Sequence, residues 1–401
     1  MRQRRPTVRV YFPGLNGLRF FAAMAVTLSH VELMKQYHGY DNVYEHPAVY
    51  ELGRLSVTFF FVLSGYLITY LLLAERRLTN DISIRSFYLR RAFRIWPLYY
   101  LVVVLAFFVF PHVPALAIPQ YTDGVAAHIG WTFPLFVFLL PQLALSVYDP
   151  VPFAEPAWSI GVEEQFYLLW PLLMKRVRSA LALALVVIAV IVSARYLALA
   201  MATVNRAEPA RLLFWNQVIN YLYFTRLECM AIGGLFAWLV FEDQRRVLAA
   251  LHHRFVQLGV YALTAWLLIT DAFKPILNYG LFSVCFAVLI LNVSTNPRSL
   301  IRLSRRPFDF LGDISFSIYM FHEVAIQLTL YALVRTTGTR FADAGANVAL
   351  YAVSILLTLA IATVSYLHFE RRFLRLKSRF GVIVTGAEAR PAVSPAPVAD
   401  T

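Results

Sequence analysis

The 401-residue chain is poor in cysteine and in charge. Its two cysteines, Cys229 and Cys285, both lie in apolar runs, so neither a disulfide framework nor a zinc site can be built from them. Asp, Glu, Lys and Arg make up 15% of residues. Ordinary soluble domains carry roughly 25%. That shortfall excludes a soluble globular enzyme and a charge-rich disordered protein. No internal repeat marks the inverted halves of a secondary transporter. No cleaved leader is expected either. The basic N-terminus precedes a span that holds polar residues and continues into the fold, which reads as a signal-anchor. Almost every window belongs to a span or a short loop, which leaves no room for a periplasmic catalytic domain.

What is abundant is apolar and aromatic. AVILMFWYC residues make up 59% of the chain and aromatics 15%, and the mean hydropathy is +0.62. This is the composition of a polytopic membrane protein. Spans must be helices, because open sheet edges cannot be satisfied in lipid, so the expected fold is an all-α polytopic membrane helix bundle. The net charge of +13 is read through the positive-inside rule and not as a nucleic-acid surface.

Ten windows of suitable length and hydropathy stand out: about 15–34, 53–74, 95–111, 158–174, 179–201, 221–241, 255–273, 277–294, 309–334 and 346–369. An eleventh, 131–147, is ambiguous. Charge parity decides it. The segments 2–9, 76–94, 175–178, 245–254, 298–306 and 371–379 hold 25 of the 36 Lys and Arg, and 112–157 holds none. With the basic segments inside, only one crossing fits between residues 95 and 175. Prolines 134, 141, 150, 152 and 156 also break the run. So 131–147 is expected to be periplasmic or re-entrant, with about ten spans and both termini cytoplasmic. Residues 1–380 form the membrane domain, and the Pro/Ala-rich segment 381–401 reads as a disordered cytoplasmic tail.

Ionisable residues inside spans are costly and mark function by default. Arg19 and His30 share the first span, 11 residues apart. That is about 16 Å along the axis and within about 20° of one face. The structural alternative is a snorkelling Arg19 and a His30 that satisfies a core hydrogen bond. The fourth span opens Trp158-Ser159-Ile160-Gly161-Val162-Glu163-Glu164-Gln165. Adjacent helical positions diverge by about 100°, so Glu163 and Glu164 cannot share a face. One should meet a cavity, where burial suits a general acid or base; the alternative is a polar helix start. Arg91 and Arg94 stand one turn apart before the third span, and their planar guanidinium forks suit phosphate. The alternative is an ordinary basic flank. In the ninth span, Ser315, Ser317 and Tyr319 near His322 make a polar helix, expected to face the bundle interior, with Glu323 next in sequence. His322 reads equally as catalytic or as an inter-helix hydrogen bond. Ser64-Gly65 reads as a close-packing step; nothing in the sequence places a base beside Ser64.

Five segments together resemble the acyltransferase-3 family of bacterial integral membrane O-acyltransferases. They are Gly17-Leu18-Arg19 with His30, Phe60 through Ile68, Arg91-Ala92-Phe93-Arg94-Ile95-Trp96-Pro97, Trp158 through Tyr167, and Ile314 through Tyr319 with His322. They occur in family order and cover roughly residues 10–375. Asn16 stands where the family often has Asp, and Ser56-Val57-Thr58-Phe59 departs from its Gly-Val pattern. The resemblance implies transfer of an acyl group, usually acetyl, from cytoplasmic acyl-CoA to a hydroxyl of a glycan or lipid-linked glycan, in a bacterial inner membrane. It implies no metal. Arg19, Arg91 and Arg94 would hold the CoA phosphates, and His30 would act as base or acyl carrier. Glu163 is the first choice to orient the imidazole, with Glu164 behind it. His322 or a tyrosine would face the thioester oxygen. Partners would be membrane lipids and polysaccharide-biosynthesis proteins. Some relatives carry an extracellular SGNH hydrolase-like domain, so acceptor choice here is expected from the membrane domain or a partner. Competing readings are O-acylation of a macrolide or other small molecule, a transporter for an anionic metabolite, and an acyl relay to a separate transferase.

Overall fold

The apolar windows fold as helices, and the polar breaks between them set where each helix stops. A computed structural model describes residues 8–270, 278–380 and 383–385. Helix α1 (Leu15–Tyr37) is followed by α2 (Pro47–Thr79) and α3 (Ile84–Phe108). Next come α4 (Pro119–Val137), α5 (Pro141–Val147), α6 (Ala157–Arg176), α7 (Ala180–Val204), α8 (Pro209–Phe224) and α9 (Leu227–Phe241). The last group is α10 (Arg245–His252), α11 (Arg254–Thr270), α12 (Asn278–Thr295), α13 (Arg306–Asp313), α14 (Ser315–Thr337), α15 (Ala344–Ser365) and α16 (Arg371–Lys377). Starts follow familiar chemistry. Pro47 and Pro209 occupy first-turn positions, and Asp343 caps α15 by accepting from the Ala346 amide at 2.7 Å.

Six helical stretches are long and apolar enough to cross a membrane: Pro47–Thr79, Ile84–His112, Ala180–Val204, Pro209–Phe241, Ser315–Thr337 and Ala344–Lys377. Gly124–Val137, Arg254–Thr270 and Tyr279–Thr295 are shorter apolar helices. Helices α1 and α6 are not in either set; they carry Arg19, His30, Glu163 and Glu164. Residues 271–273 and 277 of the sequence windows lie outside the described residues. The 131–147 run is interrupted, α4 ending at Val137 and α5 starting at Pro141, with Leu139 in the left-handed region at φ 61°.

Two windows read as continuous are broken. The 221–241 window divides between α8 and α9 at Thr225 and Arg226. A break at membrane depth frees backbone carbonyls that must find donors. Arg195 supplies them, bonding the Leu222 carbonyl at 3.0 Å and the Thr225 carbonyl at 3.3 Å while pairing with Glu228 at 2.5 Å. Buried Arg226 adds bonds to the Arg54 carbonyl and to Thr58. The 309–334 window divides at Ile314. There Gly312 lets α13 approach α1 so closely that a Cβ would lie 2.4 Å from Asn16.

Helices α2 and α9 meet backbone to backbone. A Cβ on Gly65 would stand 1.9 Å from the Met230 carbonyl oxygen, and one on Gly233 2.0 Å from that of Val62. This is the small-residue packing expected where lipid supplies no hydrophobic drive between helices. Near the His30 end of α1, buried Lys35 donates to both oxygens of Glu32 at 3.0 Å and to Asn347 at 2.9 Å. Glu32 also accepts from Tyr351 and from the Val43 amide, so the buried pair is fully satisfied. At the opposite end, strands β1 (Val8–Val10) and β2 (Ile383–Thr385) pair in parallel. Residues 383–385 of the segment read as a tail are therefore a strand; the remainder of 381–401 lies outside the described residues.

Candidate active site

Helices α1, α2 and α14 place two imidazoles against each other. His30 Nδ1 lies 2.8 Å from His322 Nε2. His322 Nδ1 lies 2.7 Å from the Tyr319 carbonyl oxygen, one turn back on the same helix. A carbonyl only accepts, so His322 Nδ1 carries the hydrogen and its Nε2 offers a lone pair. That lone pair accepts the hydrogen of His30 Nδ1. In the neutral imidazole, His30 Nε2 then carries the lone pair, which is the form a general base requires. Gly53 of α2 makes room for this arrangement; a Cβ there would meet Ser29 Oγ at 2.9 Å and His30 Cδ2 at 3.9 Å.

A carboxylate completes the group. Glu323 Oε1 lies 3.2 Å from His30 Nδ1, and the side chain is 1% exposed. Neither Glu323 oxygen accepts a hydrogen bond from a described residue. A buried carboxylate with no donor is expensive. An imidazolium formed at His30 would supply the opposite charge to balance this carboxylate. Beyond it, at the outer rim, Glu155 Oε2 accepts from the Tyr37 hydroxyl at 3.0 Å and sits within electrostatic reach of Glu323, His30 and Arg54. Burial and then Glu323 push the Glu155 carboxyl up to about 7, with His30, Tyr37 and Arg54 pulling it back. The ligand atoms of His30, His322 and Glu323 lie within 4.8 Å of one another, close enough to hold a cation. The N–H···N bond, however, occupies the two nitrogens that would have to face such an ion.

A cavity of about 210 Å³ runs along α2 from Leu71 to Val57, a rise on the order of 20 Å. Arg19, Arg91, Arg94 and Lys377 line it, facing two carboxylates, Glu163 and Asp313. Both carboxylates have partners already. Glu163 accepts from Ser64 at 2.6 Å and from Tyr167 at 2.7 Å, and Asp313 accepts from Asn16, which in turn holds Arg19 at 3.0 Å. Arg91 lies over the Tyr167 ring at 4.9 Å. Neither Arg94 nor Lys377 hydrogen-bonds to a described residue. The result is a concave site with excess positive charge, suited to a polyanion. Its inner end is formed by Val57, Phe60, Ser159 and Tyr319. Tyr319 is one helical turn from His322, with ring centroids 6.0 Å apart.

The structure thus brings Arg19, Arg91, Arg94 and Glu163 to one cavity and sets His30 against His322 just beyond its end. It does not bring Glu163 or Glu164 to His30. Glu163 is held one level below, on Ser64 and Tyr167. Glu164, diverging as adjacent positions must, turns away to accept from Trp96 Nε1 at 2.9 Å. The carboxylate beside the imidazole is Glu323. A mid-span acid next to His322 was a signal for it in the sequence. Ser159 stood in its motif without a role, and Tyr319 was one of the tyrosines open for the thioester oxygen. Lys377 and Glu155 reach the site only through the fold.

Comparison with known proteins finds sequence relatives. O-acetyltransferase OatA of Staphylococcus aureus is 27% identical over 384 residues, covering 90% of this chain and 57% of that protein. Peptidoglycan O-acetyltransferase OatA of Listeria monocytogenes is 27% identical over 339 residues, covering 80% of this chain and 50% of that one. The chain spans about half the length of the curated relatives it matches. No solved structure matches it. The acyltransferase domain family matches residues 12–367, nearly all of the helical bundle, and the chain belongs to that family.

Proposed function

We propose that this protein is a multi-pass inner-membrane O-acyltransferase. It moves an acyl group, acetyl first among the choices, from cytoplasmic acyl-CoA to a hydroxyl of a cell-surface glycan. Ten spans with both termini cytoplasmic put the basic cavity on the CoA side and His30 toward the outside. The CoA phosphates bind Arg19, Arg91, Arg94 and Lys377, as charge-assisted bonds favour. The thin arm follows the cavity and delivers the thioester to its inner end. The acceptor hydroxyl enters from the Glu155 side and gives its proton to His30 Nε2. Its oxygen attacks the acyl carbon, the C–S bond breaks, and the proton passes to the departing thiolate. His322 fixes the imidazole tautomer, and Glu323 balances the transient imidazolium.

A single observation carries this reading: the hydrogen-bonded His30–His322 pair stands just past the end of a cavity with more cations than carboxylates. The relatives named as O-acetyltransferases support the acetyl group and a glycan acceptor. The test uses membrane vesicles loaded with radiolabelled acetyl-CoA, with label counted in the endogenous glycan. His30→Ala should lower transfer by 10²-fold or more, the range of a lost general base. Arg94→Ala should weaken CoA binding and make it less sensitive to salt. Normal acetyl-CoA consumption by the His30 variant would overturn the reading. An acyl relay would consume acetyl-CoA yet label no glycan in purified form, and a transporter would carry label across without breaking the thioester.

A further inference from the structure

The inner end of the cavity holds two hydroxyls that the mechanism above does not use. Tyr319 Oη and Ser159 Oγ are 2.8 Å apart. Both reach the Pro156 carbonyl, Tyr319 at 3.0 Å and Ser159 at 3.1 Å. Both residues are buried and both line the cavity. The surrounding wall is apolar, with Val57 beside them and the Phe60 ring centroid 6.1 Å from that of Tyr319.

Two hydroxyl protons therefore share one terminal acceptor. Both protons can turn to a new acceptor, because the Ser159 backbone amide still reaches the Pro156 carbonyl at 3.4 Å, so redirecting them leaves no orphaned buried group. The place is also specific. It is the last polar point a long thin ligand meets in the cavity, one helical turn below the imidazole pair. We propose that Tyr319 and Ser159 are catalytic residues that donate hydrogen bonds to the thioester carbonyl oxygen of the acyl donor. The assignment rests on the acyl-CoA reading above. When the acceptor oxygen bonds to the acyl carbon, the carbonyl π electrons move onto oxygen, and the two hydroxyls hold that oxyanion without giving up their protons. Collapse restores the carbonyl and expels the CoA thiolate, which takes the proton from His30. In a dry apolar pocket such donors act strongly because little solvent competes.

The test is isotope-edited infrared spectroscopy of acetyl-CoA, labelled with ¹³C at the acetyl carbonyl, bound to the purified full chain. In the native protein the carbonyl band should lie at lower wavenumber than in water-free reference solvent. Tyr319→Phe keeps the ring against Phe60, and Ser159→Ala leaves the Tyr319–Pro156 bond available. Each should move the band back, and Tyr319→Phe should lower transfer in vesicles about 10²–10³-fold, with the Kd for acetyl-CoA changed less than threefold. A band that stays in place in both variants, or transfer within threefold of the native rate in both, overturns the assignment. The two claims fail separately. If His30→Ala abolishes transfer while the Tyr319 and Ser159 variants leave the band unmoved, only this inference falls. If acetyl-CoA does not bind the native chain, both fall.

Discussion

Replacing Glu323 by Gln tests the electrostatics of the imidazole pair most directly. The amide keeps the shape of the carboxyl group and removes its charge. In the structure Glu323 Oε1 lies 3.2 Å from His30 Nδ1, with 1% of the side chain exposed. For unit charges at that distance and an effective dielectric of about 20, the attraction is about 5 kcal/mol. With His30 as the base, this attraction counts toward catalysis to the extent that it is gained when His30 takes the acceptor's proton, because stabilisation confined to that moment lowers the barrier. At about 1.4 kcal/mol per tenfold, the full amount corresponds to nearly four orders of magnitude. Gln can still offer a dipole and His322 still fixes the tautomer, so a loss of 10²- to 10⁴-fold in kcat is expected. The assay is acetyl transfer to endogenous glycan in vesicles at saturating acetyl-CoA, with the Kd for CoA measured on the purified protein. The Kd should not move, because Glu323 does not line the basic cavity. A kcat within threefold of native would refute the idea that this carboxylate serves the imidazolium. A large rise in Kd would show that the donor reaches deeper than the cavity end.

Two further outcomes follow from packing and titration. Gly65→Ala or Gly233→Ala must drive a methyl into a facing backbone carbonyl, so each should lower the detergent melting temperature sharply and deplete folded protein, whereas Gly259→Ala, where a Cβ meets nothing within 4 Å, should leave both unchanged. Glu155 has its carboxyl raised to about 7 by burial and by Glu323, so the folded state prefers it protonated. The stability it lends is complete below about pH 4.5 and is lost as pH rises through about 7. Melting temperature should therefore fall across that window in the native protein, and Glu155→Gln should flatten the fall; an unchanged pH dependence would contradict the assignment.

The helices were legible because hydropathy and charge are local properties of the sequence. The windows predicted from them fall in helical segments where they are described, two of them divided by a break, and six helical stretches are long and apolar enough to cross a membrane. The breaks were less legible. Nothing local marks Thr225–Arg226 as a helix end, because the donors that make the break tolerable come from Arg195 on another helix and from Arg226 itself, which reaches the Tyr223 carbonyl. The same division holds in the site. Arg19, Arg91 and Arg94 announce themselves as cations in or beside spans, and the fold gathers them in one cavity. Glu163 also announced itself, but which imidazole or hydroxyl a carboxylate meets depends on inter-helix register. That register set it on Ser64 and Tyr167. Lys377 lies 358 positions from Arg19 and shares its cavity only through the closing of the bundle.

The charges on the two sides of Tyr319 are opposite in sign, and this has a consequence for how two substrates could meet. On one side four cations face two carboxylates that already have partners. On the other side Glu323 lacks a hydrogen-bond donor among the described residues, and Glu155 stands within its field. Arg19 and His30 are about 16 Å apart along α1. A phosphate that advanced from the arginines to the imidazoles would leave its cations more than a Debye length behind and approach two carboxylates in a poorly solvated site. The field therefore stops an anionic donor head at the basic end while an uncharged arm can pass. From the opposite side, the carboxylates favour a hydroxyl-rich acceptor, which can donate hydrogen bonds to Glu155, over an anionic one. A bundle with cations at both levels would hold the donor head anywhere along the path. Separating the signs by about three helical turns along α1 fixes where the head stops and so where the reactive carbon must lie.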